Sequence, residues 1–299
     1  MPRWPRSPLS SATAGSGLTR TTSTDRRISM ALPDTFDSST DSFAADWATW
    51  HEARERGTGS PLGVASLVAT HWLAGAPSEL EGVPGRWHAA PEGIVGSGHE
   101  LTGLTLLQGG RPIDVIEEDT VTLTAGQDIE WGEKRLRYFE RDGALALRLL
   151  DPEAPSRVAL GGIDAFEPSE SFVISGRFRP AAPDASVEFT TIDGHRSEDA
   201  PAGFVDLDLA DGPVSLTVTL ERGRLHAVFS DGTSGEESYR FRFLDLALPV
   251  ADGTVIADFN RAYLPPCAFS DFYVCPLPPA GNRFATPIRA GEKNLIRAA

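Results

Sequence analysis

The chain has 299 residues, long enough to bury a sizeable core in one large or two small domains. Its 42 acidic residues outnumber 27 basic ones, giving a formal charge of −15, which disfavours nucleic acid and anionic membrane surfaces, since both need clustered Lys and Arg. No run approaches the roughly eighteen uncharged apolar residues of a membrane-crossing helix, so neither a nucleic-acid nor a membrane partner is expected.

Residues 1–30 differ from the rest of the chain. Arg3, Arg6, Arg20, Arg26 and Arg27 face a single acid, Asp25, amid Ser, Thr and Gly. The segment is expected to be a disordered extension, and Met30 is a candidate true start because patterned acidic sequence begins just after it. No apolar core of about seven residues follows the first arginines, so it does not read as a secretory signal. The expected compartment is the cytoplasm, where cysteines stay reduced.

Residues 31–60 hold one amphipathic helix. In "DSFAADWATWHEARERG", Phe43, Trp47, Trp50 and Arg54 recur at spacings of four, three and four, one face of a helix. Asp41 or Ser42 is placed to cap its start, and Gly57 to end it in a left-handed conformation. The two tryptophans on this stripe are expected to anchor packing.

The apolar "SLVATHWLAG" that follows Pro61 fits a buried strand or a short helix. From about residue 93, short alternating runs dominate: "VTLTAG", "RLRYFERDG", "ALALRLLD", "FVISGRFRP", "VSLTVTLERG", "RLHAVFSDG", "YRFRFLD" and "TVIADF". Over Val214–Leu220 the alternation is strict, predicting a half-buried strand with Ser215, Thr217 and Thr219 toward water. "ERGR" after Leu220 predicts a hairpin turn with Gly223 at positive φ, and "SDGTSG" a second turn. Strands at intervals of about ten residues predict a mainly β protein, sandwich or barrel-like. The Pro- and Gly-rich "DPEAPSRVALGG", residues 151–162, divides it into two β-rich halves, 61–160 and 161–299.

The last forty residues form a Pro-rich closing segment. Prolines 265, 266, 276, 278, 279 and 287 forbid regular ladders, yet Phe259, Tyr263, Phe269, Phe272, Tyr273 and Phe284 are too apolar for a solvated tail. An ordered, irregular segment laid over the sheet is expected.

Strong catalytic motifs are absent: there is no phosphate loop, dinucleotide-binding glycine pattern, nucleophile elbow or zinc-protease helix. "DLDLADG", residues 206–212, fails the calcium-loop pattern and fits an exposed strand face. His71, within "ATHWLAG", is expected to be a hydrogen-bonded core imidazole, and His226 to point to solvent. Both cysteines, Cys267 and Cys275, lie in "DFNRAYLPPCAFSDFYVCPLPPAGNRF". They admit three readings: a disulfide, two ligands of a zinc site, or two buried thiols packed as small hydrophobes. No metal or other cofactor is called for, zinc being the alternative that two thiolates would allow.

Asp258, Asn260, Arg261, Tyr263, Asn282, Arg283 and Glu292 interrupt this apolar segment, where polar side chains need partners. They form either a structural lattice or the lining of a pocket for a small, anionic molecule held by Arg261 and Arg283. In the pocket reading Asn260, Arg261, Tyr263, Cys267, Cys275, Asn282 and Arg283 bind the ligand. Two alternatives stand beside ligand binding. One is a hydrolase with Asp258 or Glu292 as general base and the arginines stabilising a developing anion. The other is an interaction module whose closing segment merely covers the sheet.

The closing stretch, through "IRAGEK", resembles the C-terminal signature of a bacterial family catalogued as domain of unknown function 1684. "GVASLVATHWLAG", "LRLLDPEAPSR" and "FSDGTSGEESYRFRFL" are similar to earlier segments of that family, so the resemblance spans about residues 42–294. It departs at Leu264, where the family pattern has Asn, at "PPAGNR", where a Glu often precedes the Asn, and after Tyr239, where glycines are missing. The resemblance implies that the closing signature is the site of interest and brings no activity with it. The family's first half is similar to forkhead-associated β-sandwiches, an analogy of fold alone.

Overall fold

The computed structural model describes residues 38–298. The extension expected over residues 1–30, and Met30 as a start, lie outside the described residues. The chain is mainly β, with one long helix, α1 (Ser38–Thr58). The helix begins before Asp41 and Ser42, so neither caps it, and it runs through Gly57 without a left-handed turn. Its last turn closes instead on Thr58, whose hydroxyl donates to the carbonyls of Arg54 and Glu55 at 3.0 and 3.1 Å. The Trp47–Arg54 stripe does face protein. Trp47 Nε1 donates to the Asn260 carbonyl at 2.8 Å, and Arg54 reaches Glu292, both in the closing segment.

The first half is a sandwich. Its strands are β1 (Leu67–Trp72), β2 (Ser78–Leu80), β3 (Val83–Ala90), β4 (Gly93–Ser97), β5 (Thr105–Gln108), β6 (Arg111–Val115), β7 (Thr120–Leu123), β8 (Gln127–Trp131), β9 (Lys134–Arg141) and β10 (Ala144–Leu150). One sheet has the order β1-β10-β9-β8-β5-β6 and the other β2-β3-β4-β7. Trp87, Ile94 and Leu123 from the second sheet pack against Ile129, Leu136, Leu147 and Leu149 from the first, all buried. The ambiguous "SLVATHWLAG" is thus the edge strand β1, and tertiary pairing with β10 decides what the apolar run alone did not. His71 departs from expectation, because its Nε2 is buried without a hydrogen-bond partner among the described residues.

A single turn, α2 (Pro155–Val158), falls in the Pro- and Gly-rich break and leads into the second half. Its strands are β11 (Leu160–Ala165), β12 (Val173–Pro180), β13 (Val187–Thr190), β14 (Arg196–Asp199), β15 (Gly203–Leu209), β16 (Gly212–Glu221), β17 (Arg224–Phe229), β18 (Arg242–Leu246), β19 (Thr254–Asp258) and β20 (Glu292–Arg297). Six of them form a half-barrel in the order β18-β17-β16-β15-β12-β19. Both edge strands of that sheet contribute to one core, in which Val205, Leu216, Val218, Leu225, Ala227, Phe229, Leu244 and Val255 face inward around Phe259. The β16–β17 hairpin turns at Arg222 and Gly223, with φ of 49° and 75°, a type I′ geometry that matches the sheet's twist.

The outer face of this sheet corrects one expectation. Ser215, Thr217 and Thr219 alternate as predicted, but Thr217 is buried rather than facing water. The closing segment, with its single turn α3 (Pro266–Phe269), lies over that face. The β16–β17 ladder runs from Glu221↔Arg224 to Thr219↔His226. At the next position along the hairpin the Asn282 side chain replaces it. Its Oδ1 accepts from Thr217 N at 2.7 Å, and its Nδ2 donates to the carbonyls of Thr217 and Val228 at 2.9 and 2.8 Å. A side-chain amide here does the work of a backbone peptide, which ties a segment with few N–H groups of its own to the sheet.

Candidate functional site

The residues singled out in the closing segment divide into structural groups and cavity walls. Asn260 is fully buried and spent. Its Oδ1 accepts from Ser169 N at 2.8 Å, and its Nδ2 donates to the Ser169 carbonyl and to Asp258 Oδ1, both at 2.9 Å. Asp258 also lies 3.4 Å from Arg261, which pairs with Asp46 of α1 as well. Arg283 is exposed and donates through Nε to the Pro278 carbonyl at 3.0 Å. The two arginines share no partner, so the expected anion site between Arg261 and Arg283 is not assembled.

Glu292 is likewise committed. It has no exposed surface, takes the Arg54 fork at 2.8 and 3.0 Å, and accepts from Leu264 N at 2.7 Å. Both of its oxygens are occupied, and neither Glu292 nor Asp258 lines a described cavity, so neither stands where a general base must. Cys267 and Cys275 are free thiols, each 5% exposed, which excludes a disulfide in this state. Among the described residues no group of three or more His, Cys, Asp or Glu is placed to hold a metal ion.

Two cavities open beneath the closing segment. The first, about 270 Å³, lies between the β9–β10 turn, the β13–β14 hairpin and the outer face of β16 and β17, with Pro276, Pro279 and Asn282 along its rim. The second, about 720 Å³, lies against α1, with Tyr263, Pro266, Phe269 and Tyr273 contributed by the closing segment. Of the seven residues expected to bind ligand, Asn282 lines the first and Tyr263 the second.

His226 and Glu221 are walls of both cavities. His226, expected to point to solvent, is instead buried, because the closing segment and α1 cover the face it occupies. Its Nδ1 lies 2.7 Å from Asp245 Oδ1, the cross-strand neighbour on β18. Tyr263 OH donates to the other carboxylate oxygen at 3.2 Å. The rings of Phe243 and Tyr263 meet edge to face, Phe243 sits edge-on to His226 at 4.8 Å, and the Arg54 guanidinium lies 4.7 Å over Tyr263. Burial pushes the Asp245 carboxyl up, but hydrogen bonds from His226 and Tyr263 outweigh it and hold the group below its ordinary value. Burial and the adjacent Asp245 raise the Tyr263 phenol, keeping it a donor. An ionised Asp245 on Nδ1 fixes the imidazole so that Nε2, unpartnered among the described residues, is the nitrogen left for the cavities.

A second such pair sits on the first cavity's far side, where His195 Nε2 meets Asp142 Oδ2 at 2.7 Å. Arg141 beside it holds Asp193 at 2.8 Å, so the β9–β10 turn of the first half is pinned to the β13–β14 hairpin of the second. None of His195, Asp142 or Asp245 stands out in the sequence. The one available signal is register: Thr219, His226 and Asp245 share a face if the three strands pair in order.

The fold and site define a β-rich protein with a half-barrel whose polar outer face is roofed by a Pro-rich segment. Residues 159–293, which include that sheet and roof, match the family described as protein of unknown function DUF1684, and this part of the chain belongs to that family. The match is narrower than the expected span from about residue 42, leaving the first sandwich outside it. One solved structure, a solution NMR structure of the uncharacterized protein from gene locus rrnAC0354 of Haloarcula marismortui, is 30% identical to this chain. It aligns with 44% of this chain and 76% of its own, with a TM-score of 0.37. No curated protein matches. Among the described residues no helix is long and apolar enough to cross a membrane.

Proposed function

We propose that this protein binds a small molecule in the first cavity, beneath its closing segment, with His226 as the polar group the ligand meets. The observation that carries this reading is the half-used His226: Asp245 occupies one ring nitrogen, the other has no partner among the described residues, and the residue lines both cavities. The remaining lining includes Phe189, Val228, Pro276 and Pro279, so the ligand is largely apolar with a polar group to meet Nε2. The volume of about 270 Å³ is close to the lower end of ligand pockets, which run from about 300 to 1,000 Å³. The anionic ligand expected from Arg261 and Arg283 loses its support, since neither lines the cavity.

A second reading is hydrolysis with His226, rather than Asp258 or Glu292, as the base. It is favoured by the register Asp245, His226, Thr219, which aligns carboxylate, imidazole and hydroxyl across β18, β17 and β16. The Thr219 hydroxyl is bonded to Glu221 at 3.3 Å, so this row is not coupled in the free protein.

A fragment panel screened by ligand-observed NMR on the full chain tests the binding reading. Hits are expected to lose their signal in His226→Phe and in the cavity-filling Thr219→Phe. Hits that bind both variants unchanged, or no hits at all, would sink it. Turnover of ester or lactone fragments that vanishes in His226→Gln would favour the second reading.

A further inference from the structure

The two cysteines line neither cavity, yet the fold brings them together. They share one buried cluster with Val228, Phe241 and Phe243. The Cys267 amide donates to the Cys275 sulfur at 3.3 Å, so that sulfur lies against its partner's own backbone. Tyr239 OH lies 3.7 Å from Cys267 Sγ and donates to the Cys267 carbonyl at 3.3 Å. The chain has no other cysteine.

We propose that Cys267 and Cys275 are a reversible oxidation site, joined into an intramolecular disulfide by hydrogen peroxide, with Cys267 attacking and Cys275 resolving. With each residue only 5% exposed, a small oxidant is favoured over bulky disulfide reagents. The order of events follows from the surroundings: Tyr239 OH stands 3.7 Å from Cys267 Sγ, with the Arg240 guanidinium over the Tyr239 ring. A hydrogen bond from Cys275 stabilises the Cys267 thiolate and, with help from Tyr239 and Arg240, holds that thiol below its ordinary value against the effect of burial. Cys275 is pushed up by the same hydrogen bond and by burial, which outweigh the Cys267 amide that donates to its sulfur.

The chemistry balances. The Cys267 thiolate attacks one peroxide oxygen; an S–O bond forms, the O–O bond breaks, and the departing hydroxide takes the Cys275 proton to become water. The Cys275 thiolate then attacks the Cys267 sulfur; the S–S bond forms, the S–O bond breaks, and hydroxide leaves with a solvent proton as the second water. Two thiols are oxidised by two electrons and one peroxide is reduced to two waters.

The bridge would close the loop between α3 and Pro276, which includes Tyr273 of the second cavity's wall and leads into Pro276 of the first cavity's rim. The Cys275 carbonyl also accepts from Ile192 N at 3.0 Å, beside the β13–β14 hairpin.

Treatment of the native full chain with near-stoichiometric hydrogen peroxide is expected to lower the intact mass by about 2 Da and to remove both alkylatable thiols together. Dithiothreitol should restore them. In Cys275→Ser, dimedone should label Cys267; in Cys267→Ser, it should leave Cys275 unlabelled. The proposal is overturned if both thiols survive in the native chain, if the product is a disulfide-linked dimer, or if the label falls on Cys275.

Discussion

Strand β18 carries two charged residues three positions apart, and they meet opposite fates. Arg242 points into the half-barrel's inner side and Asp245 to its roofed outer face. Arg242 has no exposed surface; its Nη2 pairs with Asp231 at 2.7 Å and also reaches the Ile288 carbonyl at 2.8 Å. Its Nη1 reaches the carbonyls of Ala290 and Glu292. Asp231 in turn takes Thr233 N at 2.8 Å, its hydroxyl at 2.7 Å and Ile288 N at 3.1 Å. That hub stitches the β17–β18 connection to the closing segment. Asp245, by contrast, serves His226, a residue that lines both cavities. Where nearly every donor and acceptor is spent on the protein, charge builds shape; where one nitrogen is left over a cavity, charge is available to a ligand.

The inner pair offers the strongest contrast. Arg242→Leu strands the Asp231 carboxylate in the core and should cost about 3–5 kcal/mol, read as a fall in the urea midpoint. A loss below about 1 kcal/mol would mean that Asp231 is rescued by its backbone donors alone, and the hub would no longer differ in kind from the outer pair. Glu292→Gln is expected to cost somewhat less, about 2–4 kcal/mol, because its partner Arg54 is a quarter exposed and water can take over part of the lost interaction. Arg54→Lys keeps the charge but loses the two-pronged contact, and should fall below Glu292→Gln in the same measurement.

The outer pair should matter less to stability and carry a pH signature. Asp245 is held below its ordinary value in the folded chain, so the unfolded state binds more protons as pH falls. Its contribution is therefore present above the unfolded value of about 4 and lost as pH drops through the folded value. Asp245→Asn should destabilise by about 1 kcal/mol at pH 7, since the carboxylate is over a third exposed, with the gap to wild type closing toward pH 3. A gap that is constant from pH 7 to pH 3 would show that the Asp245 charge is not what holds His226.

The two faces of the sheet also mark how far the sequence can be read. Period two in Val214–Leu220 separates Val214, Leu216 and Val218 from Ser215, Thr217 and Thr219 correctly, and the β16–β17 turn is legible in Gly223. Alternation says which residues share a face, but not what covers it. Thr217 and His226 therefore read as facing water, when a roof 54 residues beyond Val228, at Asn282, encloses them. The roof itself is legible from its prolines and aromatics. Its polar residues draw attention for the right reason, that buried polar groups need partners; those partners are backbone for Asn282 and Arg283, and chiefly other side chains for Arg261, Tyr263 and Glu292. Long-range pairs such as Arg54–Glu292 and Arg141–Asp193 leave no local pattern, because only the folded topology sets their partners. The Asp231 hub has a trace in the turn "SDGTSG", but nothing in the sequence ties it to Arg242.

The smallest effects belong to the two arginines that the sequence makes most conspicuous. Arg261 pairs with Asp46, which is 69% exposed, and with Asp258 at 3.4 Å, so solvent screens both contacts. The exposed Arg283 side chain contributes a single hydrogen bond, to the Pro278 carbonyl. Arg261→Ala and Arg283→Ala should each change stability by less than about 1 kcal/mol and leave fragment binding at His226 intact. If either variant abolished binding while keeping its urea midpoint, the ligand would lie outside the His226 cavity, and the division between spent and available charge would have to be redrawn around the arginines.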